Sequence, residues 1–493
     1  MSAARNDGGF RPALTLMAGR TVSSIFTFMI PVILTRYLDP VMFGAYKQIF
    51  LLYGTLYAIG QLGMSESLYY FIPHHPDRGG SLAVNSVAVL SLCGVACVAV
   101  LTIGRRSLAA LIGNPDVAPY LPLLALFLAT TLVATVLEIA MVSRRRYGLA
   151  SATYVMSDLL RTVCLVTPVV LGGGVRELLW GGVTAGVVRL LALAGYLRRD
   201  FAGDLAFDPA LLRVQLAYAL PFALAVLVEI AQSTLHQYVV SYRFDAATFA
   251  LYSIGCLQIP LIDFMAGPAC NVMMVRMAEA RRAGDRPAVL AGFEDTTRKL
   301  ALFFFPLLGV LLVAGHDLIV FLFTEQYAAS VPIFRLWCFV ILLAVFQTDG
   351  LMRVLAETRF LFWVNVARLG LIVAFMAPLL SAFGLLGPVV VTLLGMVMAK
   401  TMMLVRWKRR LEVPLRDLLP WAGLLRIGAA AGGAAAVALA VGAALAAPPF
   451  TRLAVLGVSY GLAYLVLLFL TGALTDGERQ ALSLRHRGAL SPA

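Results

Sequence analysis

Residues 82–103 read LAVNSVAVLSLCGVACVAVLTI, a run of 22 positions without one charged side chain. At about 1.5 Å per residue, an α-helix of this length covers the roughly 30 Å hydrocarbon core of a bilayer. In lipid a segment must satisfy its own backbone hydrogen bonds, so such a run is read as a helix. Working outward from it, comparable apolar runs recur along the chain. The spans expected are 12–35, 45–72, 82–103, 120–142, 149–172, 177–197, 214–241, 247–270, 299–323, 331–352, 358–380, 385–405, 420–447 and 452–472. The fold class expected is therefore an all-α integral membrane protein of about fourteen transmembrane helices. The longest loop, about 271–298, is charged and too short for a soluble catalytic domain.

Composition agrees. The 493 residues are 61% hydrophobic and 13% charged, whereas soluble domains carry roughly 25% charged residues. The net charge of +13 is not a nucleic-acid footprint, because the basic residues sit in short loops between spans. With the N-terminus inside, and with the span-edge residues Lys299, Arg359 and Arg452 counted with the loops they adjoin, 25 of the 39 Lys and Arg fall in inside segments and 6 in outside ones. That bias is the positive-inside rule at work, and it supports an even number of helices with both termini cytoplasmic. Arg144–Arg146 and the group Arg406, Lys408, Arg409 and Arg410 are the clearest inside markers. The N-terminal segment lacks a compact apolar core with a cleavage site and reads as a retained cytoplasmic segment. Cys93, Cys97, Cys164, Cys256, Cys270 and Cys338 all lie in apolar spans, and no C-x-x-C pair indicates zinc or a disulfide framework.

The chain also repeats itself. Asp39-x-x-x-Phe43-Gly44-x-Tyr46 follows the first span, and Asp245-x-x-x-Phe249-Ala250-x-Tyr252 follows the seventh, 206 residues later. Pro122 and Pro332, 210 residues apart, each stand near the start of a span. Both echoes lay helices 1–6 over helices 7–12. Six is even, so the copies share an orientation, a layout found among transporters. The expected division is 1–213 (helices 1–6), 214–412 (helices 7–12) and 413–493 (an accessory helix pair and a cytoplasmic tail).

Enzyme signatures are missing from the sequence. There is no G-x-x-x-x-G-K-[ST], H-E-x-x-H or G-x-S-x-G. His74-His75 is a lone pair in a short inside loop, and no large outside loop of the kind expected in a glycan polymerase or ligase exists. The chemistry must then lie with charges inside spans, each of which costs at least about 2.5–3.5 kcal/mol at mid-membrane unless it has a partner or a wet cavity. These are Arg20, Lys47, Glu66, Glu138, Asp158, Arg161, Arg189, Glu229, His236, Asp263, Asp349, Arg368 and Lys400. Several share a helical face: Asp158 with Arg161, Glu229 with Gln232 and His236, and Arg20 with Ser24 and Thr27. A cavity lining is one reading. The other is structural: Lys47, Arg189, Arg368 and Lys400 as snorkelling residues near span ends, Asp158–Arg161 as a pair within one helix, and His236 as a packed histidine. Gly428-x-x-x-Gly432 in the thirteenth span permits close helix packing.

Arg36-Tyr37-Leu38-Asp39-Pro40-Val41-Met42-Phe43-Gly44-Ala45-Tyr46 resembles the stretch after the first helix in polysaccharide transporters of the Wzx type. They share a superfamily, known as MOP, with MurJ-type lipid II flippases and MATE drug exporters. Tyr218-Ala219-Leu220-Pro221 and Phe321–Tyr327 leading to Pro332 are similar to the same family. The resemblance implies two six-helix lobes around a V-shaped cavity, plus an accessory pair. It implies translocation of an undecaprenyl-pyrophosphate-linked oligosaccharide from the inner to the outer leaflet of the bacterial cytoplasmic membrane by alternating access. It also implies that Arg20 matches a cavity arginine of MurJ-type relatives. His236-Gln237 stands where many members have Asp-Arg, and Asp39 where many have glycine. On this reading Arg20 and Arg161 serve the diphosphate, while Glu66, Glu229, Gln232 and His236 serve sugar hydroxyls or gating. Cofactors expected are none, with H⁺ or Na⁺ coupling open. Partners expected are the lipid-linked substrate, membrane lipids and biosynthetic membrane proteins such as a polymerase, with no nucleic acid. A MATE-like exporter of small molecules, a membrane glycan polymerase or ligase, and a scaffold are the alternatives.

Overall fold

The computed structural model describes residues 7–445 and 447–474. The cytoplasmic placement expected for the two termini concerns segments that fall largely outside the described residues. Among the described residues every regular element is a helix. The first ten are α1 (Asp7–Leu34), α2 (Pro40–Gly60), α3 (Met64–His74), α4 (Gly79–Ile103), α5 (Arg105–Leu111), α6 (Leu121–Ala134), α7 (Val136–Ser143), α8 (Tyr147–Val170), α9 (Val175–Asp200) and α10 (Pro209–Arg243). They are followed by α11 (Ala246–Gly255), α12 (Pro260–Arg282), α13 (Arg286–Phe323), α14 (Val331–Trp337), α15 (Phe339–Ala344), α16 (Thr348–Val354), α17 (Thr358–Phe383), α18 (Gly387–Leu411), α19 (Trp421–Ala444) and α20 (Pro449–Leu470).

Eleven helical runs among the described residues are long and apolar enough to cross a membrane, or twelve if the bent pair α11–α12 is one span. The chain is thus a multi-pass membrane protein. Large apolar side chains such as Leu92, Ile103 and Leu191 stand exposed on its helices, as lipid-facing surface requires. The count differs from the expected fourteen for physical reasons. The run Thr358–Leu411 is two helices, α17 and α18, packed on each other. The stretch expected as one span at 45–72 is broken: Leu62 and Gly63 both take positive φ between α2 and α3. Lys47, Gln48 and the three tyrosines Tyr46, Tyr53 and Tyr57 also interrupt the apolar run of α2. The stretch 331–352 is divided into α14, α15 and α16 but still counts as one span, Glu325–Val354.

By packing, the chain divides into residues 1–253 and 254–493. Residues 214–253, expected with the second set of helices, pack in the first unit, where α10 rests on α2, α3 and α4. In the first unit, α1 lies along α8, and α6 packs between α4 and α9. The linker before α10 is pinned to the start of α4. Asp204 accepts from the Gly80 N–H at 2.7 Å and the Ser81 hydroxyl at 2.9 Å, capping α4 from outside its own sequence. In the second unit, α13 carries the accessory pair: Tyr464 donates to the Leu302 carbonyl at 3.0 Å. At the loop before α17, Arg406 and Arg410 of α18 bracket Glu357 and hold its carboxyl below the usual range.

The two sequence echoes are helix starts. Asp39 caps α2 by accepting from the Met42 N–H at 2.8 Å, and Asp245 caps α11 by accepting from the Thr248 N–H at 2.7 Å. The aromatic residues that follow, Phe43, Tyr46, Phe249 and Tyr252, are buried. Pro122 and Pro332 are each the second residue of a helix, α6 or α14, that follows a 3₁₀ turn.

Gly44 is required by a close approach: a Cβ there would lie 1.8 Å from the Ala246 carbonyl oxygen. The Gly428-x-x-x-Gly432 pattern is different. A Cβ at Gly428 would meet Phe305 at an ordinary 3.7 Å, and one at Gly432 would meet nothing within 4 Å. The tight contact of α19 with α20 is made instead at Gly433, against Leu467. Gly44→Ala is therefore expected to destabilise by about 1–3 kcal/mol or more, seen as a lower unfolding midpoint in detergent, while Gly432→Ala leaves the midpoint unchanged.

Candidate functional site

Three groups of polar residues stand at membrane depth. The first is a ladder between α1 and α8. Arg20 of α1 donates from Nη2 to the Tyr154 hydroxyl at 3.2 Å, its guanidinium 5.1 Å from that ring's centroid. One turn on, the Ser23 hydroxyl donates to Asp158 Oδ2. Asp158 Oδ1 lies 2.8 Å from Arg161 Nη2, and the same nitrogen donates to Thr27 Oγ1 at 2.8 Å. Tyr154, Asp158 and Arg161 follow one another at spacings of four and three, so α8 offers them on one face. Asp158 and Arg161 each remain 24% exposed and Arg20 is exposed, so this ladder is open. It holds two guanidinium groups and one carboxylate. Ser23, not Ser24, reaches across: the Ser24 hydroxyl returns to its own helix, at the Arg20 carbonyl.

The second group is closed. Glu138 of α7 accepts from Arg189 Nη2 of α9 at both carboxylate oxygens, 2.9 and 2.8 Å, and from the Ser157 hydroxyl of α8 at 2.8 Å. Glu138 is 1% exposed. This is a desolvated pair that ties three helices together through the Glu138 carboxylate, with Arg189 Nε enclosed and without a hydrogen-bond partner. It offers no surface to a ligand.

The third group lies in the second unit. Asp349 of α16, Asn365 and Arg368 of α17 and Lys400 of α18 line a cavity of about 200 Å³. Lys400 Nζ is 3.6 Å from Asp349 Oδ2 and donates to the Phe346 carbonyl at 2.7 Å.

The remaining expected residues stand apart from these groups. His236 is buried, its Nδ1 2.7 Å from the Tyr252 hydroxyl, and Gln232 is buried one turn below on α10. Glu229, on the same helix, is exposed, so the stripe read from sequence does not share one environment. Lys47 Nζ sits over the Phe43 ring at 5.5 Å and the Tyr46 ring at 6.0 Å, a cation–π placement. Glu66 is half-buried on α3, with Oε2 enclosed and without a hydrogen-bond partner. Asp263 is exposed on α12. Sequence reasoning missed Tyr154, Ser23, Ser157 and Asn365. For Tyr154 the signal was available in its spacing from Asp158; the others are neutral residues whose roles depend on the facing helix. Among the described residues, no group of three or more His, Cys, Asp or Glu is placed to hold a metal.

These features define a polytopic membrane protein whose polar residues are gathered in interhelical groups, as in a transporter. The family model described as "Polysaccharide biosynthesis protein" matches residues 33–332, and the chain belongs to that family. A search of curated protein sequences found no match. Solved structures share the fold. A lipid II flippase MurJ in an inward closed conformation aligns at TM-score 0.68 and 12% identity, over 91% of this chain and 98% of that one. A MATE multidrug resistance transporter in an inward-facing conformation aligns at TM-score 0.61 and 16% identity, over 79% and 94%. A MOP superfamily transporter from Pyrococcus furiosus, described as having a binding pocket of reversed polarity, aligns at TM-score 0.57 and 17% identity, over 82% and 95%. The fold is that of the MOP superfamily of flippases and exporters.

Removing one partner of a dry pair strands the other. Arg189→Leu is expected to destabilise by about 3–5 kcal/mol. The double variant Glu138→Leu, Arg189→Leu should recover most of that loss. Chemical denaturation in detergent, followed by helix content, checks both.

Proposed function

We propose that the protein is a flippase for an undecaprenyl-pyrophosphate-linked oligosaccharide, a repeat unit of O-antigen, exopolysaccharide or capsule. It carries that lipid from the inner to the outer leaflet of the bacterial cytoplasmic membrane by alternating access. The observation that carries this reading is the open α1–α8 ladder, with Arg20 and Arg161, in a chain of the polysaccharide biosynthesis family. A lipid-linked sugar diphosphate has a tail at home in the bilayer and a head that is not. The head needs donors of positive charge in a hydrated groove. Arginine supplies these as a planar fork able to hold two phosphate oxygens at once. Asp158 orients Arg161 and leaves the ladder with net positive charge.

On this reading the repeat comprises 1–213 and 214–412, with 413–493 as an accessory segment, and the termini are cytoplasmic. No cofactor takes part. In a cell negative inside, moving one net negative charge outward gains roughly 2.3 kcal/mol per 100 mV. Coupling to H⁺ or Na⁺ through an exposed carboxylate such as Glu229 or Asp263 is the other energy source compatible with this chain. A polysaccharide polymerase is the partner that would consume the product outside. The likeness to MATE transporters favours small-molecule export as the second reading, but cationic drugs call for an acidic site, and the α1–α8 ladder is cationic.

Arg20→Ala and Arg161→Ala should each lower surface glycan at least about tenfold, a change of roughly 1.4 kcal/mol in the rate-limiting step, at unchanged membrane abundance. Arg20→Lys should keep part of the activity. Undiminished glycan in both alanine variants would remove the ladder from the mechanism.

A further inference from the structure

In the second unit α12 gives way to α13 through Arg281-Arg282-Ala283-Gly284-Asp285-Arg286. Gly284 takes the left-handed backbone, φ +73°. The N–H groups of Gly284 and Asp285 donate back to the carbonyls of Arg281 and Ala280, which stops α12. Asp285 then caps α13, accepting from the Ala288 N–H at 2.9 Å. α16 stops in the same manner at Ala356, φ +58°, and α18 at Glu412, φ +56°. These three helix ends and the start of α13 surround a cavity of about 390 Å³, into whose wall Arg281, Arg286 and Arg410 are set together with Glu357.

The wall carries three guanidinium groups against one carboxylate, and that carboxylate is shared with a fourth arginine. Arg406 Nη2 lies 3.0 Å from Glu357 Oε2, and Arg410 pairs with Oε1. Arg281 donates from Nη1 to the Val354 carbonyl, a neutral acceptor that uses one of its five N–H groups. Arg286, the first residue of α13, is exposed. The ends of α12, α16 and α18 carry partial negative charge and the starts of α13 and α17 partial positive charge, about half a unit each. These nearly cancel, so the guanidinium groups set the sign. We propose that this cavity binds the phosphate of an anionic phospholipid headgroup. Guanidinium forks match phosphate oxygens, and about 390 Å³ lies within the range of sites for small organic molecules. The place favours lipid over a soluble phosphate ester. The apolar run through α17 and α18 ends at Leu411, where a span meets the headgroups. Val289, Leu355 and Leu411 give the cavity an apolar side, which a headgroup's glycerol and first methylenes can cover and a soluble ester leaves bare. The inference stands on the second unit alone and does not depend on the transport reading.

The test is native mass spectrometry of the full-length protein, freed of co-purified lipid in neutral detergent. It is titrated with phosphatidylglycerol, zwitterionic phosphatidylcholine or sn-glycerol 3-phosphate. The first phosphatidylglycerol should bind at least about tenfold tighter than phosphatidylcholine. Arg286→Glu should weaken it at least about tenfold. A glutamate suits the start of α13, so this variant should unfold at the native midpoint when no lipid is present. Arg286→Gln, with a smaller loss in the same direction, serves if it does not fold. Arg282→Glu makes the same charge change on an exposed arginine outside the cavity wall and should leave the first binding step unchanged. Equal binding of the two lipids, or equal weakening by Arg286→Glu and Arg282→Glu, would overturn the site in favour of diffuse attraction to a basic surface. Displacement of the lipid by an equal concentration of sn-glycerol 3-phosphate would overturn the lipid as occupant and assign the cavity to a soluble phosphate ester.

Discussion

The carboxylate of Glu138, held by Arg189 and Ser157, states the constraint under which this chain is built. A charge carried to bilayer depth has to be neutralised there, by a partner on a neighbouring helix or by something that arrives from outside. Glu138 takes the first course. Its three hydrogen bonds join α7, α8 and α9 and leave it 1% exposed. A helix interface fixed in this way can be surrounded by small residues and broken helices, because its register is set by polar geometry as well as by apolar packing.

Against that fixed point the other groups acquire meaning. Along α1 and α8, Arg20, Asp158 and Arg161 meet hydroxyls rather than a full set of counter-charges, and they remain open. In the second unit Asp349, Arg368 and Lys400 line one cavity, with Asp349 and Lys400 3.6 Å apart and partly exposed.

Much of the architecture was legible in the sequence, because uncharged runs such as 82–103 admit one solution in lipid. The helix breaks were not. A continuous helix and one broken at Leu62–Gly63 have the same hydropathy, and the left-handed backbone at Leu62 leaves no mark in a pattern of apolar residues. The intramembrane charges could be named, but not sorted. Glu138 and Arg189 are 51 residues apart in sequence, and only the packing of α7 against α9 brings them together. His236 and Gln232 read as a polar stripe with Glu229, yet the surrounding helices enclose two of the three.

Movement of a lipid-linked saccharide between leaflets is the activity proposed for this chain. The most direct measurement places the purified protein in liposomes with a labelled undecaprenyl-pyrophosphate oligosaccharide distributed over both leaflets. The fraction of the label open to an impermeant reagent added outside is then followed in time. The account predicts that nearly all of it becomes accessible. If the accessible fraction stayed at about half, as in protein-free vesicles, the account would be contradicted.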